Sequence, residues 1–487
     1  MELRTILSGI EGIRAKADLS LNIDMIECDS RKIKQNGMFV AIKGFDIDGS
    51  LFIKQAIENG ATTIVIEEGT KLQKTDIKED TNIIMVPNTR LALAKMACNF
   101  YDNPSRKFKL IGVTGTKGKT TTTFMLKAIL EKHGQKVGLI GTVANYIGSK
   151  NLGESSRTTP ESLELQKLFN QMVEEKVDTV VMEVSSQSLK LHRVEGCAFD
   201  YAVFTNFSED HISPKEHPDM EDYFNSKLLL IKQAKTNFVN NDDFNVAKIK
   251  KILPECNVKT YGIDNEANLL AKDITVTNSS VDFKVKIGGK NERVKTGIPG
   301  RFSVYNSLAA IAIGENLGAN AEEIKEALLE VRVPGRSELV DNKKGLTIMI
   351  DYAHSPESLQ SILNAVKSYT RGRVISVFGC GGDRDPGKRP VMGEISGKTA
   401  DFTIITSDNP RTEEPEKIVK QIEEGITKTK GKYVAIVDRT EAIKHAIEIA
   451  NKNDIIVLAG KGHETYQEIK GEKHPYDERE IIKNIIG

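Results

Sequence analysis

Residues 112–121 read GVTGTKGKTT, a run of glycine, lysine and threonine suited to holding phosphate. The general loop pattern G-x-x-x-x-G-K-[ST] asks for glycine at 113, where this chain has Val113; the additional glycine is Gly115, three residues before Gly118. KLIGVTG before the turn reads as a buried strand, and TTTFMLKAILEKHG after it has helical periodicity. The turn therefore opens a helix, where unpaired N–H groups and the dipole attract an anion. In that setting Lys119 reaches terminal phosphates and Thr120 offers a hydroxyl to Mg²⁺.

Further along, VVMEVSSQSL places Glu183 at the end of an apolar run, as a hard oxygen ligand for Mg²⁺ or, equally, as a helix cap or solvated group. Ser185 and Ser186 follow; with no base nearby in the sequence they read as N-cap or substrate-binding hydroxyls rather than nucleophiles. TNFSEDHISPKEHPDMEDYFNSK gathers Asp210, His211 and His217 into eight residues, a pattern open to metal, phosphate or structural roles. Lys227, sixteen residues past His211, falls by pattern on the exposed face of an amphipathic helix.

Elements that could position these groups alternate in type. Short β-branched runs are followed by longer helical patterns, which predicts an α/β fold with parallel sheets flanked by helices. At 487 residues the chain is too long for one core, and three blocks are expected, with boundaries at 1–105, 106–333 and 334–487. The first holds IDMIEC, MFVAI, TTIVIEE and NIIMVP and ends at the Asn-Pro turn of YDNPSRKF. The second runs from KLIGVTG through KVGLIGT, DTVVMEV, YAVFTNF and TNFVNN to an alternating antiparallel stretch and a helical segment over 303–330. After VPGR, the third contains LTIMIDYAH, VISVFGCGGDR, FTIITSDNPR, KYVAIVD and DIIVLAGKGHE. In most runs polar and glycine residues collect at the carboxyl end, where open parallel sheets bind ligands, so the last two blocks are both expected to bind.

Lys+Arg and Asp+Glu each number 68, and this balance favours neither nucleic acid nor a membrane surface as partner. Cys28, Cys98, Cys197, Cys256 and Cys380 have no C-x-x-C spacing, against a zinc site or a disulfide framework. The first residues lack a signal-peptide apolar core, and no run approaches a membrane span. A cytoplasmic monomer is expected.

In order along the chain stand CDSR, GTKGKTTT, EVSSQSL with His192–Arg193, TNFSEDH, YFNSK, RFSVYNSLAA, VPGRSE, DYAHSPESL, GCGGDRDPGKRP, DNPRTEEP and AGKGHETYQ. Together, from residue 28 to 467, they resemble the Mur ligase family, and within it the ligases that add the third peptide residue to UDP-N-acetylmuramoyl-dipeptide. That family's loop is the shorter G-T-x-G-K-T-T, which accommodates Val113. The resemblance implies a central P-loop ATPase domain, a Rossmann-like C-terminal domain, and ATP-dependent amide formation. The substrate carboxylate attacks the γ-phosphate, and a free amino acid's amine then displaces phosphate from the acyl phosphate.

It also implies roles for individual residues. Gly115, Thr116, Lys117, Gly118, Lys119, Thr120 and Thr121 would hold ATP, with Asn306, Arg336, Asp351 and His354. Thr120 and Glu183 would hold one Mg²⁺, and His211 a second. Lys227 would be carbamylated and so become an oxygen ligand, against its surface reading by pattern. Lys119, Glu183, His211 and Lys227 form the catalytic group. Ser30, Arg31, Thr158, Thr159, Ser185 and Arg193 would bind the UDP-substrate. Arg384, Asp408, Asn409, Arg411, Gly460 and Glu464 would bind the amino acid, with meso-diaminopimelate favoured over L-lysine because Arg411 matches a distal carboxylate. Two positions depart from the family pattern: Leu191 replaces a glutamine before His-Arg, and Ser50 in FDIDGS replaces a histidine. Rival readings are a folylpolyglutamate synthetase, against which CDSR and DNPR stand, and a P-loop phosphotransferase, whose turnover would need no amino acid.

Overall fold

Apolar β-branched runs form strands here because their side chains pack on both faces of a covered sheet. The computed structural model describes all residues except 46, 73–76, 154, 156, 214 and 215, so parts of FDIDGS and of DHISPKEHPDME lie outside the described residues. Two compact units are present, Met1–Asn268 with Ala312–Leu317, and Leu269–Ile311 with Gly318–Gly487.

In the first unit, one sheet runs Arg14–Lys16, Asn82–Val86, Ala61–Glu67, Gly37–Val40, Met25–Glu27. Its four expected strands are parallel, and Arg14–Lys16 adds an antiparallel edge. That edge was not expected, since all three residues are exposed and carry no hydrophobic alternation. Asn88 caps helix Thr89–Phe100 by accepting from the N–H groups of Arg90 and Leu91, both at 3.0 Å. Left-handed Asp102 and Asn103 then make the turn that Asn-Pro announced.

A second sheet centres on Lys109–Thr114, with Thr179–Glu183, Val137–Ile140, Tyr146–Ile147 and Lys150–Asn151 on one side, and Tyr201–Phe204, Thr236–Asn240 and Val258–Gly262 on the other. Pairing among these strands is parallel except that Tyr146–Ile147 runs antiparallel to both Val137–Ile140 and Lys150–Asn151. Register decides what surrounds the loop after Thr114. Glu183 lies opposite Val113, and Phe204 opposite Thr114, so the residues following both neighbours emerge beside the glycine turn. Leu110, Ile111 and Val113 are fully buried beneath it.

The second unit begins with the expected antiparallel strands, Lys272–Val276, Val281–Ile287 and Lys290–Thr296. The segment 303–330 is two helices, Arg301–Asn316 and Ala321–Glu330, the second opened by a capping box of Asn320 and Glu323. A six-stranded sheet follows in the order Glu338–Leu339, Thr347–Asp351, Ile455–Ala459, Val374–Phe378, Phe402–Ile405, Tyr433–Ala435, parallel except for the first strand. Beneath its loops Arg439 and Glu478, both essentially without solvent exposure, pair at 2.9 Å, and Arg439 also donates to the Ala459 carbonyl at 3.0 Å. Glu478→Ala would strand a buried guanidinium, and we expect a loss of about 3–5 kcal/mol in urea unfolding. A loss of about 1 kcal/mol or less, as for a surface pair, would contradict this. Among the described residues no helix is long and apolar enough to cross a membrane.

Candidate active site

The glycine turn is braced by the polar end of the neighbouring strand. Asn206 Oδ1 accepts from the Lys117 N–H at 2.9 Å, and its Nδ2 donates to the Lys117 carbonyl, also at 2.9 Å. Thr205 Oγ1 donates to the Lys117 carbonyl at 2.6 Å, and the Thr116 N–H donates to the Asn206 carbonyl at 2.9 Å. Gly115 has φ +138°, and a Cβ there would lie 1.9 Å from Thr205 Oγ1. We therefore expect Gly115→Ala to cost about 1–3 kcal/mol of stability and to weaken nucleotide binding. Wild-type Tm and nucleotide affinity in that variant would refute the bracing. Lys119 Nζ lies folded over the loop, donating to the carbonyls of Gly115 and Thr116 at 3.0 Å each.

On the other side stands Glu183, 1% exposed. Its carboxylate accepts from Thr120 Oγ1 at 3.0 Å and from the Thr142 N–H and Oγ1 at 2.9 and 3.1 Å. Its carbonyl accepts from Thr159 Oγ1 at 2.9 Å. Glu183 is thus neither a helix cap nor a solvated group; it is tied to the hydroxyl that opens the helix.

Lys227 is 1% exposed, which overturns the surface reading by pattern. Helix Met220–Gln233 turns this face inward, and Nζ donates to the Gly115 carbonyl at 3.0 Å and lies 4.4 Å from the centre of the Tyr223 ring. Burial, and then the charge of Lys119, hold the amine well below the ordinary lysine range. His211, left-handed at φ +58°, is half-exposed and pairs through Nδ1 with Glu216 at 2.8 Å.

Lys119, Lys227 and His211 line one cavity of about 250 Å³ together with Thr158, Thr159, Ser185 and Arg193, so most residues implied for catalysis and for the UDP-substrate meet in one place. Arg193 is buried, donates to the Thr159 carbonyl at 3.3 Å and pairs with Glu161 at 3.0 Å. Ser185 caps helix Ser186–Lys190, as expected of it. Ser186 departs from its reading: His217 Nε2 lies 2.9 Å from Ser186 Oγ, so a base is close at hand. Ser30 and Arg31 follow strand Met25–Glu27 in the other sheet. Ser30 Oγ donates to Gln55 at 2.6 Å, and Arg31 is held by Asp29 at 2.9 Å.

In the second unit, Arg336 lies 5.0 Å over the Tyr352 ring, with its Nε buried and unpartnered. Burial raises the Asp351 carboxyl, against the pull of Arg336 and of the Ser337 N–H, 2.8 Å away. Burial also lowers His354, whose Nδ1 is 2.8 Å from the Tyr352 carbonyl. Asn306 lies buried on helix Arg301–Asn316. The amino-acid residues converge on the carboxyl ends of adjacent strands. Asn409 Nδ2 donates to Glu464 at 2.8 Å, and a Cβ at left-handed Gly460 would lie 2.4 Å from Asp408 Oδ2. Arg411 Nε donates to Glu468 at 3.1 Å and Nη1 to the Gly382 carbonyl at 2.7 Å. Arg384 is exposed on the loop after Val374–Phe378.

Family profiles match along the chain: "Mur ligase family, catalytic domain" over 22–101, "Mur ligase middle domain" over 113–314, and "Mur ligase, glutamate ligase domain" over 335–462. The chain is 49% identical over 488 residues to the UDP-N-acetylmuramoyl-L-alanyl-D-glutamate–2,6-diaminopimelate ligase of Caldanaerobacter subterraneus subsp. tengcongensis, covering 100% of this chain and 99% of that one. The chain belongs to the Mur ligase family. A ligase of the same name from Clostridium botulinum is 48% identical over 490 residues, with the same coverage. A solved structure of a UDP-N-acetylmuramoyl-L-alanyl-D-glutamate–2,6-diaminopimelate ligase aligns with a TM-score of 0.71 at 28% identity, covering 100% of this chain and 98% of the other.

Several residues of this Mur ligase escaped the sequence reading. Thr205, Asn206 and Tyr223 brace the loop, Tyr223 through its hydroxyl to Thr116 Oγ1 at 3.2 Å, and Thr142 holds the Glu183 carboxylate. Lys461, fully buried, donates to Asn409 at 3.1 Å and to Glu464 at 3.3 Å. A signal existed for Thr205 and Asn206, a polar pair ending an apolar strand. None existed for Thr142, whose role depends on the register of a neighbouring strand.

Proposed function

We propose that this Mur ligase is an ADP-forming ligase that joins 2,6-diaminopimelate to UDP-N-acetylmuramoyl-L-alanyl-D-glutamate through an acyl phosphate, in peptidoglycan synthesis. The observation that carries the reading is the Lys119–Thr120–Glu183 loop with Lys227 buried against it, in a chain matched end to end by ligases of that name. A carboxylate and a triphosphate repel, so the site must supply positive charge and exclude water. Lys119 supplies a cation at the loop, and Arg193, paired with Glu161, supplies another on the cavity wall. No enzyme nucleophile is required; the chain's residues orient the two substrates and neutralise charge.

Thr120 Oγ1 and the Glu183 carboxylate are adjacent hard oxygen donors, a set that fits Mg²⁺. His211 offers a ring nitrogen. Lys227 fits only as a carbamate: an ammonium has no lone pair to give, and a neutral amine nitrogen is a poor ligand for a hard cation that takes oxygen. When bound, Mg²⁺ neutralises charge on phosphate oxygens and polarises the transferring phosphoryl group. Among the described residues no three His, Cys, Asp or Glu side chains gather as a metal site of their own.

The reading includes three domains, 1–105, 106–333 and 334–487, supported by separate sheets and by the three matched family segments. It also includes a cytoplasmic monomer. ADP formation with UDP-N-acetylmuramoyl-L-alanyl-D-glutamate should require meso-diaminopimelate in a panel of amino acids. ADP release independent of any amino acid would favour the phosphotransferase, and the reading would fall.

A further inference from the structure

Lys461 has no part in the scheme above, yet it sits among the residues implied for the amino acid. It follows left-handed Gly460, and its side chain has no exposed surface. Nζ lies 3.1 Å from Asn409 Oδ1 and 3.3 Å from Glu464 Oε2, with the Tyr466 and Tyr476 ring centres each 5.8 Å away. Asn409 Nδ2 lies 2.8 Å from the same Glu464 oxygen, and the Glu468 backbone nitrogen 3.0 Å from Asn409 Oδ1.

A backbone amide sets the direction of every bond in this group. The Glu468 N–H can only donate, so the Asn409 atom facing it is the carbonyl oxygen. Asn409 Nδ2 is then turned toward Glu464 and donates to Oε2. Lys461 Nζ faces two acceptors and donates to both. No step in that sequence depends on whether a side chain is charged. Glu464 Oε2 thus receives two donors, while Oε1 accepts from no described residue and the side chain keeps exposed surface. Two donors at one oxygen hold a carboxylate against rotation, whereas a single donor leaves it free to turn about that bond. Lys461 has no surface to offer a ligand, so it acts through Glu464.

We propose that Lys461 is a positioning residue for amino-acid selection, pinning Glu464 Oε2 so that Oε1 alone meets the distal amino group of a diamino diacid. This rests on the ligase reading, in which Glu464 belongs to the amino-acid site. The distal carboxylate is read separately: Arg411 is held by Glu468 Oε2 and the Gly382 carbonyl, and neither bond involves Lys461. Without Lys461, Asn409 Oδ1 still accepts from the Glu468 N–H, so the loss falls on Glu464. Lys461 therefore sets the preference for a second amino group rather than the affinity for a diacid.

The test compares meso-diaminopimelate with 2-aminopimelate, which keeps both carboxylates and the reacting amine but lacks the distal amino group. In ADP formation by the full chain, Lys461→Met should raise KM for diaminopimelate roughly tenfold or more, the scale of one hydrogen bond to a charged group. KM for 2-aminopimelate, KM for ATP and kcat should stay at their wild-type values, so the preference between the two amino acids shrinks by the same factor. A lysine that served only the fold would raise both KM values together. Should Lys461→Met fail to fold with Glu464 short of a partner, Glu464→Gln is compared with the Glu464→Gln, Lys461→Met pair, and both should show the same preference. A wild type indifferent to the distal amino group, equal losses on the two amino acids, or a pair whose preference falls below that of Glu464→Gln would overturn the inference while the ligase reading stands. Absence of wild-type turnover on diaminopimelate would overturn both.

Discussion

Lys227→Ala should lower ADP formation by about 10²–10³-fold, the range for loss of one preorganised charge-stabilising group, with partial recovery in acetate or formate. Lys227 is 1% exposed and meets the Gly115 carbonyl at 3.0 Å, a place where a permanent cation is costly. Burial first, and the Lys119 charge second, hold its pKa well below the ordinary lysine range, which favours the neutral amine relative to an exposed lysine. A neutral amine adds to carbon dioxide: the C–N bond forms, a proton leaves, and the product is an anionic carbamate with two oxygen donors beside the phosphate loop. Protons compete for the same lone pair, so the carbamate, and activity with it, should be lost as pH falls. Labelling with ¹³C-bicarbonate should give a carbamate resonance in the wild type and none in Lys227→Ala. A variant that keeps most of its activity would rule the carbamate out.

Arg411→Ala should raise KM for meso-diaminopimelate on the order of 30-fold or more, since loss of a buried charged hydrogen bond costs about 2–5 kcal/mol. Arg411 is held in a left-handed backbone conformation at φ +52°, with its N–H donating to the Glu468 carbonyl at 3.0 Å and its carbonyl accepting from the Lys470 N–H at 2.6 Å. Nε and Nη1 are engaged by Glu468 and Gly382, which orients the planar guanidinium as a fork. Such a fork matches a carboxylate bidentately. L-Lysine carries an ammonium at its distal end and would be repelled. Glu464, steadied by Asn409 and Lys461, is suited to the distal amino group of a zwitterion. Arg411→Lys should recover little, because a point charge does not replace a fork. A wild-type enzyme preferring L-lysine at saturating ATP would assign Arg411 to the α-carboxylate or to the fold instead.

Strand positions were legible wherever burial on both faces produced a continuous apolar run, as in KLIGVTG and DTVVMEV. Short exposed elements such as Arg14–Lys16 lacked that signal. The glycine turn declared itself through spacing alone, and Lys119 and Thr120 came with it. Lys227 did not: helical periodicity assigns a lysine to solvent, and only the packing of this helix against the glycine turn, whose Gly115 carbonyl Lys227 meets, makes its face an interior one. His217 and Ser186 lie 31 residues apart, and their pairing depends on how helix Ser186–Lys190 meets helix Met220–Gln233. Spacing within one segment cannot encode a meeting between two.

The bracing of the glycine turn by Thr205, Asn206 and Glu183 has a thermodynamic consequence. A loop hydrogen-bonded to the strands on both sides has lost its conformational freedom during folding, so nucleotide arrival orders little further chain. Binding there is governed by charge rather than by closure of a flexible segment, and its strength should track ionic strength more steeply than temperature. Selectivity for a triphosphate over a diphosphate then falls to the side chains that meet the last phosphate, Lys119 foremost, rather than to any rearrangement of the loop that cradles the others.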